Sequence, residues 1–246
     1  MADKKLQSEN TFPSLKELLE AGAHFGHSVK RRNPRMDEYV YATKNGVQIF
    51  DLVKTRQLLE ETCQYLEDVT AKGGKVLVLG TKGQAAQVVR ETAEAIGTPY
   101  IVNRWVGGLF TNWDELKKRI ERLIDMKKKF EEGEYKKYTK KEQVLKKREI
   151  DRLERMYGGL VSLTKLPDVL FVIDPSREDV AVREAIAVKV PIAAIVDTNC
   201  DPTQIEKVIP ANDDALKTVD IIVRTIMAAI ERGIKRAAKN TQAEAK

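Results

Sequence analysis

Short, uninterrupted apolar runs alternate with amphipathic helical patterns along most of this 246-residue chain. The clearest runs are KVLVLG at 75–80, DVLFVID at 168–174 and PIAAIVD at 191–197. A strand without alternating polar residues is typical of a parallel sheet that is covered on both faces. Because strand and helix patterns follow one another, the chain should form right-handed crossovers. The sequence therefore predicts an α/β fold with a doubly wound parallel sheet.

The stretch 112–160 breaks this alternation with two amphipathic helical patterns, each beginning at a predicted capping box. Apolar residues recur there at alternating spacings of three and four, which leaves most of each helix polar. We therefore predict an antiparallel coiled-coil hairpin that projects from the sheet. The predicted division is an α/β domain of residues 1–111 and 161–246 with this hairpin inserted. Residues 1–12 and 240–246 are expected to be flexible.

Positive charge is concentrated in two places on a chain whose formal net charge is +6. Residues 112–158 carry 16 basic and 11 acidic side chains, a local excess of five. The second place is VKRRNPRM at 29–36, which we call the basic knot. Its proline prevents a continuous helix, and an extended basic segment suits a phosphate backbone. This pattern favours a polyanion held at defined points, although a solvated helix face is the commoner reason for a lysine-rich stretch.

The segment NRWVGGLFTNW at 103–113, which we call the corner, joins a predicted strand to the first hairpin helix. It combines two tryptophans, an arginine and a Gly-Gly bend within eleven residues. Planar side chains such as Trp105 and Arg104 could stack on bases or ribose. The alternative, given equal weight, is that the tryptophans bury the root of the hairpin.

Parallel α/β sheets bind ligands at the carboxyl ends of their strands, so an enzyme must be considered. Gly80-Thr81-Lys82-Gly83 lies where a phosphate loop would lie, but neither GxxxxGK[ST] nor GxGxxG occurs. The sequence also shows no set of nucleophile, base and oxyanion hole. A tight β–α turn is therefore favoured. A nucleotide- or flavin-binding protein that uses the crevice at the strand ends is kept as the alternative.

A metal site is considered at GAHFGH (22–27), which contains both histidines of the sequence. A His-x-x-His pair needs further ligands from elsewhere. Packing in a glycine-rich turn is favoured, so no metal and no cofactor are expected. The weak candidate ligands are His24, His27, Asp197, Asp201 and Asp213.

Composition limits the cellular compartment. The two cysteines, Cys63 and Cys200, lie far apart and form no CxxC pair, which fits a reducing compartment. No apolar stretch approaches the length that a membrane span needs, and the N-terminus has no apolar signal region. We therefore expect a soluble cytoplasmic protein without a membrane partner.

From about Leu15 to Arg232 the chain resembles a known family, the bacterial form of small-subunit ribosomal protein two. Seven motifs occur in the family's order, with a helical insertion between the third and the fifth. They are GAHFGH (22–27), NPRM (33–36), GTK (80–82), NRWVGGLFTNW (103–113), LPDVLFVID (166–174), IVDTNCDP (195–202) and IPANDDA (209–215).

The resemblance implies a flavodoxin-like or Rossmann-like sheet that carries the hairpin, and a structural role without enzymatic activity. Such a protein would bind small-subunit ribosomal RNA at the head–body junction. It would also help recruit ribosomal protein one, lie near other small-subunit proteins and function in translation on the cytoplasmic ribosome. No homo-oligomer is expected.

The motifs that match the family imply RNA contacts at the knot and at the corner. Contacts by lysines of the hairpin are inferred from charge alone. The predicted RNA-binding residues are Lys30, Arg31, Arg32, Arg35, Arg104, Trp105, Lys117, Lys118, Lys136 and Lys137.

Overall fold

The computed structural model describes residues 12–244. In this part of the chain the strands are β1 (Phe25–Ser28), β2 (Val40–Lys44), β3 (Val47–Phe50), β4 (Val76–Leu79), β5 (Tyr100–Ile101), β6 (Val169–Ile173), β7 (Ile192–Val196) and β8 (Lys207–Pro210). The α-helices are α1 (Leu15–Ala21), α2 (Leu52–Ala71), α3 (Gly83–Ile96), α4 (Trp113–Glu131), α5 (Lys140–Tyr157), α6 (Asp179–Ala187) and α7 (Leu216–Glu244).

Five parallel strands form the central sheet in the order β5-β4-β6-β7-β8. Numbered within the sheet, this order is 2-1-3-4-5, that of flavodoxin-like folds. Every residue of β4, β6 and β7 is buried, as the uninterrupted apolar runs predict. The predicted strand at 98–103 is shorter in the structure, where β5 pairs with β4 through only two registered residues. The predicted doubly wound α/β fold is confirmed.

Alternating side chains of each strand enter two separate apolar layers. Val76 and Val78 of β4 pack with buried residues of α2, α3 and α7. Leu77 and Leu79 face the opposite layer, which contains α6, the corner and the inner faces of α4 and α5. Both faces of the sheet are therefore covered.

A second, three-stranded antiparallel sheet in the order β1-β3-β2 was not predicted. Asn45 and Gly46 join β2 to β3, and both have positive φ, 53° and 77°, as a two-residue hairpin turn requires. The sheet is fastened to the central one at Gly26, where an added Cβ would lie 2.5 Å from Cγ2 of Thr198. His27 N–H also donates to Thr198 Oγ1 at 2.8 Å. These contacts bring the neighbouring basic knot to the carboxyl end of β7.

The two predicted helices of 112–160 are present as α4 and α5, and a short 3-10 turn connects them. Ion pairs cross between them, with Arg122 Nη2 2.6 Å from Glu149 Oε1 and Lys127 Nζ 2.5 Å from Glu154 Oε2. The buried stripe of α4 consists of Leu116, Ile120, Leu123 and Met126. It belongs to the same apolar cluster as one layer of the sheet. The coiled-coil geometry, the projection and the domain boundaries stay predictions.

Helix α7 begins at Leu216 and runs through Glu244, which takes the C-terminal helix beyond its predicted end near residue 239. Phe12 is partly buried and packs against the layer formed by α2, α3 and α7. The predicted flexibility of the chain ends falls in part outside the described residues, at 1–11 and 245–246. No helix among residues 12–244 is long and apolar enough to cross a membrane.

Candidate nucleic-acid interface

The basic knot folds into two 3-10 turns, Val29–Arg31 and Pro34–Tyr39, so the extended conformation predicted for it is wrong. The second turn is stabilised locally, because the Asn33 side chain accepts a hydrogen bond from Arg35 N–H. Asn33 N–H in turn donates to the Thr198 carbonyl at 2.7 Å. Met36 is fully buried and anchors the knot. The turns present the basic side chains on the surface beside the strand ends.

Two of the four predicted knot cations already have acidic partners in the fold. Arg32 Nη1 lies 3.3 Å from Asp37 Oδ2. The Arg35 guanidinium forms an ion pair with Asp201 and also donates to Thr203 Oγ1 at 3.0 Å. Among the ion pairs of the described residues, none includes the other two predicted cations, which are exposed. These are Lys30 and Arg31.

The corner is organised by one carboxylate that the sequence reasoning missed, Glu184 of α6. Its Oε1 accepts hydrogen bonds from Trp105 Nε1 at 3.1 Å and from Gly108 N–H at 2.7 Å. Its Oε2 accepts from Phe110 N–H at 3.0 Å and, more weakly, from the backbone and hydroxyl of Thr111 at 3.4 Å. Burial opposes the charge, but these donors together lower the pKa of Glu184 below its ordinary value. One buried anion therefore holds the whole bend.

Trp105 lies inside this arrangement. Its side chain is only 7% exposed, and its ring packs edge-on against Phe110 with centroids 5.1 Å apart. With its N–H bonded to Glu184, the indole fastens the corner to α6, which supports the alternative of a buried hairpin root. The stacking on RNA predicted for Trp105 stays a prediction, and this geometry does not favour it.

An open cleft of about 610 Å³ lies between the corner and the C-terminal half of α5. We call it the arginine cleft, because three guanidinium-bearing residues line it, Arg104, Arg152 and Arg155. All three are exposed. The sequence reasoning identified Arg104 and missed the other two, although their spacing of three places them on one side of α5. The remaining lining residues are Asn103, Trp105, Val106, Gly107 and Met156.

The predicted hairpin lysines differ in their surroundings. Lys118 Nζ lies 2.6 Å from Glu115 Oε1, and Lys117 Nζ lies 4.0 Å from Glu121 Oε1. At the connection between α4 and α5, Lys136 is exposed, and Lys137 Nζ lies 5.8 Å from the ring centroid of Tyr138. No ion pair of the described residues includes either of these two lysines. The connection between α4 and α5 therefore carries two lysines that have no ion-pair partner among the described residues.

A profile of the ribosomal protein S2 family matches residues 18–233. The chain belongs to the ribosomal protein S2 family. The match spans both basic regions, the corner and the two helices α4 and α5. Membership in the S2 family gives the chain a structural role in translation as a component of the small ribosomal subunit in the cytoplasm. It also implies association with ribosomal RNA and with other ribosomal proteins. The S2 family consists of structural proteins and is not an enzyme family.

The turn at 80–83, which could have formed a phosphate loop, contains a lysine that is paired with carboxylates of the same fold. Lys82 is 8% exposed, and its Nζ lies 2.7 Å from Asp213 Oδ1 and 2.6 Å from Asp214 Oδ1. A third carboxylate, Asp174 Oδ2, lies 3.4 Å away. Burial acts to lower the pKa of Lys82, but these carboxylates raise it above its ordinary value. The ammonium group is therefore satisfied within the fold at the strand-end crevice.

The five weak metal candidates are divided among different contacts. His27 Nδ1 lies 3.1 Å from Asp197 Oδ1, and this carboxylate raises the pKa of the imidazole. Asp213 faces Lys82, Asp201 faces Arg35, and His24 packs against Phe25 with ring centroids 3.9 Å apart. Burial, followed by the nearby Asp174, raises the pKa of Asp213 to about 7. His27, Asp197 and Asp213 lie close together, because Asp213 N–H also donates to Asp197 Oδ2 at 3.5 Å, whereas Asp201 and His24 serve separate parts of the fold.

Both cysteines are buried and free in the described chain. Burial raises the pKa of the Cys63 thiol and of the Cys200 thiol to about 12. A thiol is nucleophilic as the thiolate, so neither group is prepared for nucleophilic chemistry at neutral pH. Cys63 packs in the layer formed by α2, α3 and α7, and Cys200 packs in the opposite layer.

Proposed function

We propose that this chain is a non-catalytic constituent of the small subunit that binds small-subunit ribosomal RNA at the head–body junction. The observation that carries the proposal is that cations without ion-pair partners among the described residues lie at separate places on one α/β fold. Lys30 and Arg31 lie in the knot beside the strand ends, whereas Arg104 lies at the corner beside α5. A protein that bridges two RNA domains needs its positive charge at such separated points.

Contacts of this kind are made mainly to phosphates, and they position the protein without reading the base sequence. Each phosphate that a cation neutralises adds to the dependence of affinity on salt. We expect RNA binding to weaken steeply as salt rises, with low preference among base sequences. Folded ribosomal RNA should be bound more tightly than isolated fragments, because the separated cations must meet phosphates at matching distances.

The finer partners are proposed on the resemblance of the sequence to the bacterial members of the family. They are ribosomal protein one, which this chain would help to recruit, and neighbouring small-subunit proteins. We propose that the chain acts there as a single copy and without a cofactor.

The competing function is a nucleotide- or flavin-binding protein that uses the strand-end crevice. The carboxylates around Lys82 argue against it, because they present negative charge where a phosphate would lie. A nucleotide ligand would raise the unfolding temperature in a concentration-dependent way. We expect no shift across a panel of nucleotides and flavins, and a saturable shift would restore this alternative.

Sedimentation of a cell lysate through sucrose gradients at low and high salt tests the proposal directly. The chain should migrate with small subunits at low salt and should be released as salt rises. Quantitative mass spectrometry of each fraction would measure its ratio to the other small-subunit proteins. A chain that remains at the top of the gradient at low salt would contradict the proposal.

A further inference from the structure

We propose that the arginine cleft is a binding site for the phosphate backbone of an RNA strand. This inference rests on the proposed function and assigns one of its contacts to a defined place. The lining of the cleft includes Arg104, Arg152 and Arg155 and contains no acidic residue. A concave site of about 610 Å³ with three guanidinium-bearing residues and no carboxylate favours an anion.

The charges of the cleft are free, unlike many of the basic groups around them. Lys118, Arg122 and Lys127 of α4 each lie within 2.6 Å of a glutamate oxygen. Across residues 12–244, by contrast, no ion pair involves any of the three cleft arginines. Arg155 Nε donates to the Asp151 carbonyl of its own helix at 3.3 Å, which leaves the terminal nitrogens of this guanidinium for a ligand.

The walls of the cleft are fixed before any ligand arrives. Glu184 accepts hydrogen bonds from Trp105 and Gly108 of the corner. Asn103 Nδ2 donates to the Arg155 carbonyl at 2.5 Å, which joins the corner to α5. A Cβ added at Gly107 would meet nothing within 4 Å, so the backbone is open there. In the described structure, no hydrogen bond uses the backbone N–H of Arg104 or Gly107. A rigid site with spare donors loses little conformational entropy when it binds an anion.

The composition of the cleft favours RNA over an acidic protein segment. Planar guanidinium groups bind phosphate oxygens in a bidentate manner. Met156, which is 41% exposed, and the half-buried Val106 add apolar surface against which a ribose or base can pack. A nucleotide presents this combination of anion and apolar ring in one unit. We therefore assign the cleft to RNA and treat an acidic protein as a competing outcome of the test.

The first experiment compares two triple variants of the full chain. In one, Arg104, Arg152 and Arg155 are each changed to Gln. In the control, three exposed cations that already have acidic partners, Arg183, Arg224 and Lys235, are changed to Gln. Binding to purified small-subunit ribosomal RNA is measured over a series of KCl concentrations. The cleft variant should lose about two units from the slope of log affinity against log salt, since each phosphate contact contributes about 0.7–0.9.

The second experiment uses the wild-type chain, so it does not depend on the folding of a variant. Arginines are modified with phenylglyoxal in the presence and absence of the RNA and then mapped by mass spectrometry. RNA should protect the three cleft arginines. RNA binding without protection, or equal salt slopes for the two triple variants, would overturn the cleft assignment and leave the proposed function intact. If a ribosomal protein protected the three arginines from phenylglyoxal and RNA did not, the assignment would also be overturned. Failure of the wild type to bind at low salt would instead contradict the proposed function.

Discussion

The basic knot and the arginine cleft have similar numbers of cations, yet the fold treats them differently. In the knot, Arg32 and Arg35 face Asp37 and Asp201, so part of the charge is neutralised within the chain. In the cleft, the three arginines form no ion pair with a carboxylate among the described residues, and the corner beside them is held by the buried Glu184. The knot has the denser run of charge in the sequence, whereas the cleft has more charge available to a partner.

This difference shows why a count of basic residues is a poor guide to an interface. Exposed ion pairs contribute little to stability, about 0–1 kcal/mol, but they hold a cation away from an incoming phosphate. Whether a basic residue is available depends on acidic residues that lie far away in the sequence, as Asp201 does for Arg35.

The largest expected effect follows from Glu184→Gln. The carboxylate accepts hydrogen bonds from Trp105, Gly108 and Phe110, and an amide can accept through only one of its two terminal atoms. At least one buried N–H would lose its acceptor. We expect a loss of about 2–4 kcal/mol in the free energy of unfolding at neutral pH. Urea unfolding followed by tryptophan fluorescence would measure it.

Glu178→Gln is the matched control, because this buried glutamate at the start of the same helix accepts a hydrogen bond, among the described residues, only from the Thr81 hydroxyl. Its effect should be clearly smaller. The pH dependence gives a further check. The pKa of Glu184 is depressed in the fold, so its contribution is complete above the ordinary carboxyl pKa and is lost as pH falls through the folded value. The difference between wild type and Glu184→Gln should therefore narrow in acid. A difference that stays constant down to the acid-unfolding range would contradict the role given to the charge.

The central sheet could be predicted because its signal is local. The run KVLVLG (75–80) contains an unbroken apolar stretch at 76–79, as a fully covered strand requires, and each helix between such runs shows its own period. The small antiparallel sheet was missed, although Asn45-Gly46 is a strong hairpin signal. Its strands are short, β2 is largely exposed, and glycine-rich 22–27 resembles a turn more than a strand.

The candidate site was predicted less completely, because its decisive contacts join distant segments. Glu184 lies 79 positions from Trp105. The one local hint was a charged residue on the side of α6 that also carries the buried Ala181 and Ala185. Arg152 and Arg155 lie in a helix full of basic residues, and only the position of the corner distinguishes them from the others. Their spacing of three shows only that they share one side of α5, and it does not show that the corner lies beside that side.

A smaller effect is expected for the connection between α4 and α5, where unpaired cations resemble those of the cleft. We expect Lys136→Glu with Lys137→Glu to weaken association with small subunits about tenfold at physiological salt, a loss of about 1.4 kcal/mol. The unfolding temperature should change little, because both side chains are exposed. Co-sedimentation with small subunits that lack this protein would measure the loss.

Lys117→Glu with Lys118→Glu is the control for the same change of charge. These lysines lie on α4 with Glu121 and Glu115 as neighbours, so less of their charge is available to RNA. Their reversal should weaken association less than reversal at the connection. Equal losses would show that total charge, and not pairing within the fold, governs binding by these helices.

The smallest effect should come from a variant in which one knot cation loses its acidic partner, so that it is unpaired like the arginines of the cleft. Asp201→Asn removes the carboxylate that faces Arg35 and leaves Thr203 as a neutral partner. The freed guanidinium could then contact one more phosphate, so RNA affinity at low salt should rise and the salt slope should steepen by at most about 0.9. Asp179→Asn, which frees Arg183 on the exposed side of α6, makes the same change of net charge away from the knot. If both variants gain equally, net charge explains the gain. If Asp201→Asn alone gains, pairing with Asp201 is what limits the charge that Arg35 offers to RNA.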